Sequence, residues 1–204
     1  MAAPSMAIST ALLLVLLLPA ISAVRLNPNP NNNGNDFIRT NCDATLYSDV
    51  YYATLIARTN EVQGSPAKLA SVAVEVSLSS ARNISAYISN LARNPNSNKV
   101  LKDCVSNFGN AIDQMQRSST EIQPASTPFQ ISNVQTWMSA ALTNQDTCAD
   151  ELIESVKSDV QDRVLNGKKL MSIALAFINK FAQATNAKGS LSPPVLDRPD
   201  SQFL

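Results

Sequence analysis

The sequence predicts an all-α fold: an antiparallel up-down four-helix bundle preceded by an N-terminal helical hairpin. Three observations carry this. Apolar residues recur at a 3.6-residue period over stretches long enough to be bundle helices. The connections between them are short, which makes successive helices antiparallel neighbours. Alternating apolar and polar runs are almost missing, so the helices have chiefly one another to bury their stripes against.

The chain opens with an apolar run, Ala11 to Leu18, followed by Pro19 and the small-residue stretch Ile21, Ser22, Ala23. This reads as a secretory signal peptide over residues 1–23, cleaved after Ala23. A membrane anchor needs about 20 apolar residues, and the run breaks at Pro19. No other stretch is long and apolar enough to span a bilayer, so no membrane is expected once the signal is removed. Residues 24–35 are rich in Asn and Pro and read as a flexible leader.

Phe37, Ile38, Cys42 and Leu46 begin the ordered part. Ala44 to Thr59 reads as a helix with Tyr47, Val50, Thr54 and either Leu55 or Ile56 inward, giving a helical hairpin over 36–62. The next start is marked by Gly64, then Ser65 as N-cap and Pro66 at the first helical position. From there Ala70, Val74, Leu78, Ala81, Ile84, Ile88 and Leu91 keep the helical period until Asn94 and Pro95 stop it. Asn83, Ile84 and Ser85 form an N-glycosylation sequon, which a secreted chain can use.

After a short Asn-Pro-Asn-Ser turn, Val100, Leu101, Cys104, Phe108, Ala111, Ile112 and Met115 give the cleanest apolar stripe. Lys102, Asp103, Asp113 and Arg117 fall outside it and are expected in solvent. Ser118 to Pro128 reads as a loop. Ser132 is the expected N-cap of the following helix, with Gln135 completing a capping box. Val134, Trp137, Met138, Ala141, Leu142 and Gln145 follow at helical spacing, placing Val134, Trp137 and Ala141 on one face with Cys148. Thr143 to Thr147 form a polar end able to cap itself or grip a partner.

Leu152, Val156, Val160 and either Val164 or Arg163 suggest a further helix from Glu151 to Val164, with a break or kink at Asn166-Gly167. Leu170, Ala174, Phe177, Ile178 and Phe181 make the last helix, to about Asn186. The bundle thus spans 65–187, the whole domain 36–187, and residues 188–204 read as a disordered, Pro-rich tail.

The composition narrows function mainly by what is missing. Sixteen basic and sixteen acidic side chains cancel, which makes nucleic acid an unexpected partner. With no histidine, the commonest general base, metal ligand and nucleophile activator are all lacking. Five scattered glycines build no phosphate cradle. The paired carboxylates Asp150 and Glu151, or Glu154 and Asp159, sit where charges recur as on a solvated helix face. No enzyme activity, cofactor or metal is expected. A ligand-carrying bundle is a lesser alternative, since the apolar stripes are only as wide as core packing requires. Three cysteines in a secreted chain leave one thiol over.

The run VQTWMSAALTNQDTC, Val134 to Cys148, resembles the signature of the plant invertase and pectin methylesterase inhibitor family, a W-x-SAALTN-x-DTC block before the last cysteine. The resemblance extends over roughly Asp36 to Thr185. It implies a disulfide between Cys104 and Cys148, closing a loop worth about 4 kcal/mol by the chain-entropy account. Zinc ligation by a lone thiol pair without histidine is disfavoured. The family's hairpin is stapled by two cysteines ten positions apart, counting both; here Cys42 matches the first and Tyr51 occupies the second. Cys42 is then the unpaired cysteine, either buried or free for an intermolecular bond.

The resemblance further implies a secreted inhibitor of the apoplast and cell wall that binds its enzyme one to one and covers the substrate cleft. The wording of AALTNQDTC and of VLNGKKLMSIALAFINKF points to the pectin methylesterase branch, with cell-wall or vacuolar invertase as the alternative target. A pro-region of an esterase is disfavoured, because no catalytic domain follows before Leu204. The enzyme-contacting positions correspond to Thr147 and Asp150, and on the preceding helix to Ser106, Asn110 and Asp113. Of the last three, often acidic in the family, only Asp113 keeps the charge. That predicts weaker electrostatic steering or another target isoform. Thr147 and Asp150 also have a plainer reading, as caps of the helix that ends there and of the one that begins.

Overall fold

A computed structural model describes residues 34–94, 99–152 and 158–190. The expected signal peptide, most of the expected leader, the expected turn at 95–98, Val156 and the expected tail beyond 190 lie outside the described residues. Three short helices come first: α1 (Gly34–Asp43), α2 (Ser48–Leu55) and, after a 3-10 turn at Ile56–Arg58, α3 (Thr59–Val62). Four long ones follow: α4 (Pro66–Ala92), α5 (Lys99–Glu121), α6 (Pro128–Leu152) and α7 (Ser158–Ser190). Among the described residues there is no strand.

The long helices form a ring in which α4 and α6 each pack on both α5 and α7. Cross-links fix the directions. Between α5 and α6 the pairs are Cys104 with Cys148, Gln114 with Asn144 and Glu121 with Asn133; between α6 and α7 they are Gln135 with Asn179 and Asp146 with Lys168. In each set one number rises as the other falls, so the neighbours are antiparallel. The interior is apolar, with Leu69, Ile88, Phe108, Met115, Met138 and Met171 almost fully buried.

Ser65 caps α4 as expected, accepting from the Lys68 amide at 3.4 Å, with Pro66 in the first turn. Gln63 and Gly64 at positive φ reverse the chain just before it. The predicted stripes of α4 and α5 are inward, apart from half-buried Leu91, Val100 and Ile112.

Several boundaries differ from expectation, each for a local reason. Helix α6 starts at Pro128, not at Ser132: Thr127 accepts from the Gln130 amide at 3.3 Å while the Gln130 side chain accepts from the Thr127 amide at 2.9 Å. The capping box is therefore Thr127 and Gln130, and Ser132 is an exposed residue inside the helix. Helix α5 continues through Ser118, whose buried hydroxyl donates to the Gln114 carbonyl at 2.9 Å, and the loop shrinks to 122–127. Trp137 is only half-buried, because the core stripe of α6 steps through Val134, Met138, Ala141, Gln145 and Cys148 and leaves Trp137 at its edge.

In the N-terminal region Ala44 to Tyr47 is a turn, not helix. Thr45 folds back on the Cys42 carbonyl through both its amide and its hydroxyl, at 2.8 and 2.7 Å, and ends α1 there. Leu46 and Tyr47 consequently point outward, 88% and 38% exposed, and Leu55 is the inward one of the Leu55–Ile56 pair. Gly34 and Asn35, expected in the leader, already belong to α1, where Asn35 accepts from the Thr59 hydroxyl at 2.7 Å. Helix α7 runs unbroken through Asn166 and Gly167 to Ser190. A Cβ on Gly167 would sit 2.6 Å from Ile84 Cδ1, so this glycine serves the approach of α7 to α4.

Candidate protein-binding face

The face begins with the covalent clamp between its two helices. Cys104 and Cys148 are bonded, with Cα atoms 4.8 Å apart and both side chains fully buried. Cys42 is the free thiol and is also fully buried. The disulfide sets the register of α5 against α6, and the Asn144 amide, donating to Gln114 at 3.2 Å, holds it about one turn away along α6 and nearly three along α5.

With that register fixed, the exposed positions of the two helices form adjacent stripes. On α5 one such stripe is Ser106, Asn110, Asp113 and Arg117, at steps of four, three and four. On α6 the neighbouring stripe is Thr136, Ser139, Thr143, Thr147 and Asp150. Antiparallel packing puts Ser106 and Asn110 alongside Thr143, Thr147 and Asp150, while Asp113 lies a turn further along. All five sequence-predicted contact residues are exposed on these two helices.

The threonines are preset. Thr136, Thr143 and Thr147 each donate to the carbonyl four residues earlier, at 3.0, 3.1 and 3.0 Å. Their hydroxyl protons are committed to the helix, so their free lone pairs accept from outside. Together with the Asp113 and Asp150 carboxylates, this makes the stripes rich in acceptors. The side chains are short and partly fixed, so little rotamer entropy is lost when a partner covers them.

The capping roles open to Thr147 and Asp150 do not occur. Helix α6 runs on to Leu152, which leaves Thr147 within it and Asp150 two residues before its end. The polar run Thr143 to Thr147 divides its work by helix face. Thr143 and Thr147 are exposed, and Asn144 joins the α5 seam. Asp146 pairs with Lys168 of α7 at 2.7 Å. Gln145 is fully buried, its amide without a hydrogen bond among the described residues. The hydrogen bond from Lys168 to Asp146 raises the ammonium above its ordinary range, with Asp150 adding to the effect.

Two features escaped the sequence reading. Arg117 closes the α5 stripe as a cation, a place its four-residue step from Asp113 could have signalled. Tyr51, visible only as a missing cysteine, anchors the N-terminal helices by donating to the Ala73 carbonyl at 3.0 Å. Among the described residues no group of three or more Cys, Asp or Glu side chains is arranged to hold a metal.

A family model described as plant invertase/pectin methylesterase inhibitor matches residues 36–177. Pectinesterase inhibitor 10 of Arabidopsis thaliana is 34% identical over 165 residues, covering 74% of this chain and 53% of the relative, so this chain spans about half that relative's length. Pectinesterase inhibitor 11 of the same plant is 34% identical over 72% of this chain and 81% of its own. The 21 kDa protein of Daucus carota is 31% identical over 72% and 84%. In structure, the chain is similar to a mutant form of a pectin methylesterase inhibitor from Arabidopsis, with a TM-score of 0.57 at 21% identity over 70% of this chain and 95% of that one. That likeness supports the helical fold.

Proposed function

Because the chain belongs to the plant invertase/pectin methylesterase inhibitor family, we propose that it is a secreted, non-catalytic inhibitor that binds a pectin methylesterase one to one and covers its pectin-binding cleft. The observation that carries this reading is the family match over 36–177. The esterase is preferred to invertase as the target because relatives matching most of the domain are themselves named pectinesterase inhibitors. Cell wall and apoplast are the matching location, since the target acts on wall pectin.

The proposed mechanism is occlusion by the α5–α6 face. A cleft that receives a polyuronide chain is long and polar, and offers donors to carboxylates and ring hydroxyls. A helix pair whose hydroxyls and carboxylates accept along its length is chemically complementary to such a cleft. Thr147, Asn110 and Ser106 fill the centre, while Asp150 and Asp113 bring negative charge toward basic groups. The buried disulfide keeps the two helices in register, so the face binds as one rigid piece.

The test is a paired assay of the mature, disulfide-bonded protein at mildly acidic pH, following methyl-ester release by a plant pectin methylesterase and sucrose cleavage by a cell-wall invertase. Loss of ester release with sucrose cleavage unchanged is expected. Inhibition of invertase alone would overturn the choice of target.

A further inference from the structure

We infer that Asn83 carries an N-linked glycan whose first sugars lie along the α4–α7 seam, on the side of the bundle opposite the α5–α6 face. The sequence contains a single Asn-x-Ser/Thr triplet, Asn83-Ile84-Ser85. It falls in the middle of α4, yet the structure makes the position fit for modification. Asn83 is exposed, and its amide has no hydrogen-bond partner among the described residues, so a sugar on Nδ2 displaces no contact.

Asn83 also opens onto a cleft. Between α4, α7 and the N-terminal helices lies a depression of about 500 Å³, lined among others by Ser79, Ser80, Asn83, Ile84, Asn166 and Leu170. Serine hydroxyls and an exposed asparagine amide can bond ring hydroxyls and an acetamido group, while Ile84 and Leu170 offer apolar floor to a sugar's C–H face. The rim is held in place. Arg58 pairs with Glu75 at 2.6 Å, and Arg163 stacks on Tyr87, 4.3 Å from its ring centroid, while the Tyr87 hydroxyl donates to Asp159. A pyranose entering here meets a built surface with little left to order.

The side of the bundle follows from the ring of helices. α4 packs on α5 and α7, and α6 packs on the same two, so the α4–α7 seam is the side opposite the α5–α6 seam. A glycan on Asn83 covers the first and leaves Ser106, Asn110, Thr147 and Asp150 uncovered. It therefore restricts which side of the bundle can receive a protein partner.

The chemistry is group transfer from a polyprenyl-pyrophosphate oligosaccharide during secretion. The Asn83 Nδ2–C1 bond to N-acetylglucosamine forms, the C1–O bond to pyrophosphate breaks, and the amide proton leaves with the pyrophosphate lipid. Transfer acts on the extended chain, so the later helix is no barrier. The inference rests on passage through the secretory route and is independent of which enzyme the protein inhibits.

The test secretes the full chain, with its own N-terminal segment, from a plant host. Intact mass is measured before and after peptide-N-glycosidase, and for N83Q and S85A. The expected result is a mass excess on the wild type that the glycosidase removes, leaving Asp at position 83, with neither variant carrying it. Unmodified Asn83 in secreted wild type would overturn the assignment. Amide hydrogen exchange of glycosylated against enzymatically deglycosylated wild type then locates the sugars. Added protection near Asn83 on α4 and near Asn166 on α7, with α5 and α6 unchanged, is expected. Changes across Ser106–Arg117 or Thr136–Asp150, or none at the α4–α7 seam, would overturn the placement. Neither readout involves enzyme inhibition, so failure to inhibit a pectin methylesterase would not be mistaken for failure here.

Discussion

The Tyr51 hydroxyl donates to the Ala73 carbonyl at 3.0 Å, joining α2 to the bundle at the position where the family pattern has its second hairpin cysteine. The Tyr51 ring also meets Phe177 of α7 edge-on, with centroids 5.6 Å apart. One side chain thus ties the N-terminal helices to α4 and α7 at once. Tyr51→Phe keeps the ring and loses the donor, and is expected to cost about 1 kcal/mol. Tyr51→Ala removes the anchor altogether and should cost about 3 to 5 kcal/mol. Urea midpoints check both, and an unchanged midpoint for Tyr51→Ala would show that the anchor lies elsewhere.

Stability should fall at alkaline pH. Burial, with a smaller push from the neighbouring Asp43, raises the Cys42 thiol from 9.0 to about 11. Burial likewise raises the Tyr51 phenol well above its ordinary range, against a smaller opposing effect of Ser77. Both groups hold their protons more tightly in the folded chain than in the unfolded one. The thiol's contribution is full below about pH 9 and is lost as pH rises through about 11, and the phenol's is lost at higher pH still. Urea titrations across this window should show the decline, and Cys42→Ala should flatten part of it. A slope unchanged in Cys42→Ala would remove the thiol from the explanation.

Replacing the disulfide pair by Cys104→Ala and Cys148→Ala should cost about 4 kcal/mol by loop entropy. For a domain of about 5 to 15 kcal/mol total stability that is a large share. Calorimetry of the double variant measures it. The same change should weaken inhibition further than the stability loss alone explains, because α5 and α6 are no longer clamped in register.

Gly167 gives a prediction whose sign separates two readings. If it were a helix breaker, Gly167→Ala would stabilise by about 1 kcal/mol through helix propensity. In the structure the new methyl lies 2.6 Å from Ile84 Cδ1, and overpacking typically costs about 1 to 3 kcal/mol. Net destabilisation is expected. Ile84→Val, which removes that Cδ1, should recover most of it in the double variant. A thermal melt of the single variants and the pair decides between them.

What was legible in the sequence follows physical range. The stripes of α4 and α5 and the Ser65-Pro66 start depend on neighbours within a turn or two, and they hold. The boundaries that moved depended on equally local competitors: Thr127 with Gln130 outbid Ser132 with Gln135, and Thr45 ended α1 by folding back on Cys42. Gly167 and Tyr51 were misread or only half read for a different reason. Their partners, Ile84 and Ala73, belong to another helix, and periodicity is silent about contacts across the bundle. The residues of the candidate face, Thr147, Asp150, Ser106, Asn110 and Asp113, come from the family wording, and the structure adds that all five are exposed. The coherence of the face as acceptor stripes needed the register that Cys104–Cys148 and Asn144–Gln114 impose.

The most direct measurement of the central claim is inhibition of a plant pectin methylesterase by wild type, Thr147→Val and the double variant Asn110→Arg with Thr147→Arg, each with its melting curve. Thr147→Val should weaken inhibition by about tenfold, or about 1.4 kcal/mol, and the arginine pair should abolish it. All three should melt within a few degrees of one another, since both positions are exposed. A wild type that inhibits while the folded arginine variant inhibits equally well would contradict the account, because the α5–α6 face would then not be the one that closes the cleft.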